Sequence, residues 1–378
     1  MKRSISISLI AFFLVWSFAF IAVKLPFMGP ISEAIKEFEM TDTYYQILQD
    51  TDDEDDAEVS DAITIVDITE LYSRRELAQT LSTIMAQHPK VVGVDVVFEG
   101  LKEDTVGDQM MAEVALRHDN IVFSEKLLDY KDEKTGFTDM VHSFFAEEPG
   151  TVNEGITNMP RNLYGGIKRK MQMGWKVQGE MIPSFISMVS AMYQGSDSIV
   201  TADKALNINF VPKHFPVLLP DSVAAHLELI KGRAILFGTM KDEYDMHYTP
   251  LGKMPGTQLL AYAIDTVIKR SEVREVNRWL MTLLSFLLVL LTQYSFARYK
   301  TFAAGRKNRF ARFVMSMTLI KSYLTFIWIA LWMWVAFMIF YLYDIQVDIG
   351  WALSAIAFLA LAESIYDEVK QAINNRKK

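Results

Sequence analysis

Cysteine is absent from the 378 residues. That excludes a disulfide framework, a thiolate nucleophile and a zinc–thiolate centre, and it fits a domain exported to an oxidising compartment. Also missing are a phosphate-binding glycine loop, an HExxH helix and a GxSxG nucleophile elbow. The chain therefore reads as a non-enzyme that needs no cofactor. Histidine is scarce. His88, His118, His142, His214, His226 and His247 are scattered, and no two share a helix face at metal-ligand spacing.

Charge is missing from two long stretches. Trp279–Ala297 and Ser322–Tyr343 contain no Asp, Glu, Lys or Arg. A bilayer core of about 30 Å takes roughly 20 apolar residues in a helix, and a soluble core helix of that length would show a polar face. Both read as spans. A third apolar run, Ser4–Val23, follows Lys2 and Arg3. Ser17-Phe18-Ala19 would serve as a signal-peptide cleavage site, but the run extends past it, so an uncleaved anchor is expected. A fourth run, Ile349–Ala362, has 14 residues between Asp348 and Glu363. It spans if those carboxylates sit at the interfaces and is re-entrant otherwise; a span is expected.

The charges that are present are unevenly placed. Residues 1–23 carry two bases and no acid, residues 24–277 carry 24 bases against 41 acids, and residues 278–378 carry 12 bases against five acids. A net −17 over the middle repels nucleic-acid backbones. Arg298, Lys300, Arg306, Lys307, Arg309, Arg312 and Lys321 lie together between two spans, whereas the next connection holds Asp344 and Asp348 and no base. By the excess of Lys and Arg on the cytoplasmic side, the N-terminus, the basic loop and the tail are inside and the acidic middle is outside. The expected organisation is a transmembrane anchor over 1–23, an extracytoplasmic domain over 24–277, three transmembrane helices over 278–364 and a short cytoplasmic tail over 365–378, in the cytoplasmic membrane.

Within the middle, Asp50 to Asp56 is an acidic run that lacks the glycine of a calcium-binding loop and reads as a solvated linker. Then strands and helices alternate: a β-branched strand over Ala62–Asp67, a helix over Arg74–His88 ended by Pro89, a strand over Val91–Phe98, a helix over 107–118 and a strand over Asn120–Phe123. This order predicts a mostly parallel sheet with flanking helices. Residues 126–180 read as an insertion, with Gly165-Gly166 and a basic patch at Lys168-Arg169-Lys170 that is a solvated face or a phosphate site. A helix follows over Pro183–Gln194, then strands over Leu206–Phe210 and Ala234–Gly238, with a helix capped by Asp221 between them. A last helix, Gly256–Lys269, is expected to lead directly into the second span.

Several blocks together resemble CHASE2-domain proteins, a family of bacterial extracytoplasmic sensor modules. They are Ile63–Glu70 continuing through Arg75 to Gly100, Asp108–Phe123, and Leu229–Ile268 with Gly232-Arg233-Ala234-Ile235-Leu236-Phe237-Gly238, Asp245-Met246-His247-Tyr248-Thr249-Pro250 and Met254-Pro255-Gly256. The arrangement of one span before and three after the domain matches as well. Thr69–Arg75 departs from the family's Trp-Pro-Arg-containing loop, which puts that loop's contacts in doubt. Family members often continue into a cyclase or kinase module, whereas this chain stops at Lys378, so the resemblance implies a stand-alone sensor with a separate cytoplasmic output protein.

In open parallel sheets ligands bind beyond the carboxyl ends of the strands. Asp67, Asp95, Gly238, Asp245, His247 and Thr249 are expected to gather there. Three carboxylates and an imidazole favour a cationic or hydroxyl-rich ligand, or an oxygen-bound divalent metal; the alternative is a loop stapled by side-chain hydrogen bonds. The leading expectation is a membrane sensor for a small molecule or envelope component. An envelope assembly protein and, more weakly, a membrane hydrolase using Asp67, Asp95, Asp245 and His247 are the alternatives. The bilayer, that ligand, an output protein and a second copy of the chain are the partners left open.

Overall fold

The computed structural model describes residues 2–24, 39–51, 58–146, 151–160, 166–196 and 202–376. Most of the acidic run, Asp52 to Asp56, lies outside them, as do Gly165, Lys377 and Lys378. The chain divides into two units, Met1–Tyr44 with Arg274–Lys378, and Tyr45–Val273. Helices α1 (Lys2–Lys24) and α2 (Met40–Thr51) come first.

The unit Tyr45–Val273 is built on a mixed sheet. Its parallel part holds β1 (Ile63–Asp67), β2 (Val91–Val94), the first half of β3 (Ile121–Asp132), β5 (Asn153–Ile156), β10 (Val217–Leu218) and β11 (Ala234–Gly238), in the spatial order β10-β1-β11-β2-β3-β5. All residues of β1, β2 and β11 are buried, as expected of strands covered on both faces. Their apolar side chains meet α3 (Arg74–Met85) and α4 (Thr105–Arg117) on one face, where Val66, Val94, Phe123 and Phe237 pack on Leu81, Ile84 and Met111. Ser73 and Glu76 form a reciprocal capping box that fixes the start of α3. On the other face lie α5 (Phe185–Gln194) and α6 (Gly256–Lys269). Gly93 is needed in β2 because Phe185, Val189 and Leu236 occupy the space its side chain would take.

Several sequence expectations shift here. The strand from Val91 stops at Val94, after which the backbone leaves the sheet. Residues 126–180 continue the sheet with two antiparallel pairs joined by a parallel one: the second half of β3 pairs antiparallel with β4 (Gly136–Val141), β4 pairs parallel with β7 (Gly174–Val177), and β7 pairs antiparallel with β8 (Glu180–Pro183). The strand expected at Leu206–Phe210 is the short β9 (Ala205–Asn207), paired with β6 (Lys170–Gln172) outside the main sheet. The helix expected after Asp221 is a pair of 3-10 turns, Pro220–Ala225 and Leu227–Leu229. In the basic patch the Lys168 ammonium donates to the Pro160 carbonyl at 3.0 Å, and burial pulls its pKa down. Helix α6 does not run into the next span. Arg270 closes it in the left-handed conformation, and a new helix starts at Arg278 behind an Asn277 cap.

In the unit Met1–Tyr44 with Arg274–Lys378, β14 (Arg274–Glu275) pairs with β15 (Ile345–Gln346). Among the described residues, three helical stretches are long and apolar enough to cross a membrane: Lys2–Ile21, Arg278–Ala304 and Ser322–Tyr343. They belong to α1, α7 (Arg278–Ala304) and, past α8 (Arg309–Ser316), α9 (Thr318–Tyr343). The fourth apolar run is broken at Phe358 into α10 (Gly350–Ala357) and α11 (Leu359–Arg376). Ala11, Ala352, Ala355 and Ala362 are buried with Ile7, Val15 and Val289, small residues that let helices approach closely. Glu363 takes Arg3 at 3.0 Å and Lys300 at 2.6 Å, so the start of α1, the end of α7 and the start of α11 lie at one level.

Candidate functional site

At the carboxyl edge of the parallel sheet Asp67 pairs in register with Gly238, and the Asp95 amide donates to the Phe237 carbonyl at 2.9 Å. Asp67, Gly238 and Asp95 therefore stand side by side, as the strand reading required. Their tasks differ. Asp67 is buried, and its Oδ1 accepts from the Thr69 amide at 3.0 Å, the Thr69 hydroxyl at 2.5 Å and the Met240 amide at 3.2 Å. It ties two loop starts together.

Asp95 turns to the face covered by α6. Its Oδ2 accepts from the Thr257 hydroxyl at 2.8 Å. Burial pushes its carboxyl up to about 6, the Thr257 hydrogen bond opposes that rise, the Asp245 charge adds to it, and Ser124 and His247 pull the other way. Thr257 is the second residue of α6, whose free amides and dipole favour negative charge at this end. Gly238 is glycine for a packing reason: a side chain there would meet Thr257 and Asp95.

After β11 a 3-10 turn, Glu243–Asp245, leads into the hairpin of β12 (Met246–Thr249) and β13 (Gly252–Pro255). Asp245 ends that turn and His247 is the second residue of β12, and the turn brings His247 Nε2 to 3.1 Å from Asp245 Oδ1. The Asp245 carboxylate fills the space beside Gly256 at the start of α6. Thr249 is spent on the hairpin: its hydroxyl donates to the Gly252 carbonyl at 2.9 Å and accepts from the Leu251 amide at 3.2 Å. Of the six residues expected at the site, Asp95, Asp245 and His247 form one cluster with Gly238 behind it, while Asp67 and Thr249 serve local turns. The residue that sequence reasoning missed is Thr257. Its signal was the helix start marked by Pro255-Gly256, which puts the next side chain at the sheet edge.

A second cluster lies on the other side of β3. Glu125 follows Ser124 on that strand, Glu154 is on β5, and His142 stands just past β4. His142 Nδ1 is 2.9 Å from Glu154 Oε2 and 3.2 Å from Glu125 Oε2. Glu154 Oε1 accepts from the Ser143 amide at 2.8 Å. Burial, then the Glu154 charge, push the Glu125 carboxyl up to about 7, against the pull of His142. The scattered histidine spacing hid this grouping, because three separate segments bring it together.

The sequence profile of the CHASE2 domain matches residues 13–295, well over half of the chain. No curated protein and no solved structure matches it.

Proposed function

Because the chain belongs to the CHASE2 domain family, we propose that it is a multi-pass sensor of the cytoplasmic membrane whose acidic domain detects a small molecule or an envelope component and signals to a separate cytoplasmic protein. The proposed ligand site is the cluster of Asp95, Asp245 and His247. The observation that carries the reading is the place of α6: its first turn supplies Thr257 to Asp95 and packs Gly256 against Asp245, and its chain continues to the membrane helix α7. A ligand that draws on Asp95 or Asp245 changes what holds the start of α6. A part-buried carboxyl raised to about 6 beside a second carboxylate and an imidazole suits a cationic or hydroxyl-rich ligand.

The proposed topology keeps α1 as an uncleaved anchor, since Ile7, Ala11 and Val15 pack on Val289 and Ala355. It puts Arg3, Lys300 and Glu363 at the cytoplasmic face and takes α10 with the start of α11 across the bilayer. A chain without cysteine makes the test direct. A single cysteine at Lys131 should react with a membrane-impermeant maleimide on intact cells, and one at Arg306 only after permeabilisation. The opposite pattern overturns the topology. For sensing, a photo-crosslinker at Arg306 should capture a cytoplasmic protein to different extents in the wild type and Asp245→Ala, at matched expression and melting temperature. Equal capture by both counts against Asp245 as a sensing residue.

A further inference from the structure

We propose that Glu125, His142 and Glu154 form a binding site for a divalent transition-metal ion. The Glu125 side chain is 4% exposed. Among the described residues no hydrogen-bond donor is directed at its carboxylate; the one group within ion-pair distance is His142 Nδ1, whose hydrogen bond goes to Glu154. One ring nitrogen carries one hydrogen or one lone pair, so it cannot satisfy both carboxylates. A buried carboxylate left without donors is destabilising or takes up a proton. Two carboxylates thus converge on one nitrogen.

The spacing fits an ion in that place. Donors bound about 2.1 Å from a metal stand roughly 3.0 Å apart at neighbouring octahedral corners and roughly 3.4 Å apart at tetrahedral ones. Here the imidazole nitrogen is 2.9 Å and 3.2 Å from the two carboxylate oxygens, and the three ligand atoms lie within 4.8 Å of one another. Glu154 is already oriented, because the Ser143 amide holds its other oxygen. The His142 side chain is 47% exposed, so a hydrated ion can enter and keep water at its remaining positions.

The donor set narrows the ion. One imidazole with two carboxylates suits Zn2+ or Mn2+, whereas Mg2+ and Ca2+ take oxygen ligands. The cluster is separate from the proposed ligand site, and the inference does not rest on the sensor reading.

The test uses the full chain in detergent, stripped with a chelator, dialysed against Zn2+ or Mn2+, and analysed for bound metal and melting temperature. The expected result is one ion per chain and a higher melting temperature with metal. Glu125→Gln keeps the shape of the buried group, and His142→Ala changes a half-exposed one. Each should fold and bind about tenfold more weakly or worse, while His247→Ala binds like the wild type. Less than one ion per chain in the wild type overturns the proposal, as does wild-type affinity in both cluster variants. Loss of binding in His247→Ala with retention in His142→Ala would move the metal to the other cluster and overturn it as well.

Discussion

The two carboxylate–histidine clusters of the acidic domain differ in how far the protein itself answers their charge. Asp95 has the Thr257 hydroxyl, Asp245 has His247 and the start of α6, and both sit where a helix dipole favours anions. Glu125 has only part of one imidazole nitrogen. The first cluster is close to self-sufficient and is joined to the start of α6; the second is incomplete. Unmet demand, more than residue type, separates a site that holds a helix from one that calls for an ion.

The comparison can be broken hardest at Gly238. Gly238→Val would drive a side chain into Thr257 and Asp95 and should cost about 3 kcal/mol, the upper part of the range for overpacking a closed core. Chemical denaturation of the wild type and variant measures it, and adding Thr257→Ala should return part of the loss. An unchanged midpoint would show that the edge beside α6 is not closely packed.

The clusters should also separate by pH. Both Asp95 and Glu125 have folded-state pKa values raised above the ordinary values of 3.8 and 4.5. Such carboxyls contribute stability below the unfolded value and lose it as pH rises through the folded one. In chelator the wild type should therefore lose stability from about pH 4 to 6 through Asp95 and from about pH 4.5 to 7 through Glu125. Glu125→Gln should remove the fall in melting temperature between about pH 6 and 7, whereas Asp95→Asn should keep that fall and show a gentler slope below about pH 6. Identical profiles in the two variants would mean that neither carboxyl carries the dependence.

Smaller effects are expected where a single hydrogen bond is lost. His247→Ala removes the 3.1 Å contact to Asp245, a part-buried pair expected to contribute about 1 kcal/mol. Melting should fall by a few degrees while signalling is lost. A large loss of stability with signalling intact would make the loop structural. Thr249→Ser keeps the hydroxyl that joins Gly252 to Leu251 and loses only a buried methyl group, so it should cost about 0.8 kcal/mol, as read from the denaturation midpoint.

The alternation of strand and helix made the parallel core legible in the sequence, because β1, β2 and β11 are fully buried and carry continuous apolar runs. The start of α6 was legible, with Pro255-Gly256 before it. The antiparallel half of the sheet was not. Its strands, such as Glu180–Pro183, are short and partly exposed, and their pairing depends on contacts remote in sequence. The same asymmetry held for the sites. Asp245 and His247 are two residues apart, near enough for the sequence alone to pair them, whereas Glu125, His142 and Glu154 meet only after β3, β4 and β5 are assembled. The break after Lys269 was hidden because no proline or glycine marks it; Arg270 takes the left-handed turn itself.

Strand β3 links these observations. Ser124 lies near Asp95 and Glu125 belongs to the metal-type cluster, so consecutive side chains of one strand serve opposite faces. A pleated strand reverses every side chain when its register moves by one residue. A single-codon insertion or deletion between Ile121 and Ser124 would thus turn the Glu125 carboxylate toward α6 and strip the second cluster of its buried ligand. In descendants of this gene the spacing from Ile121 to Glu125 should stay fixed in length even where the residues between them drift.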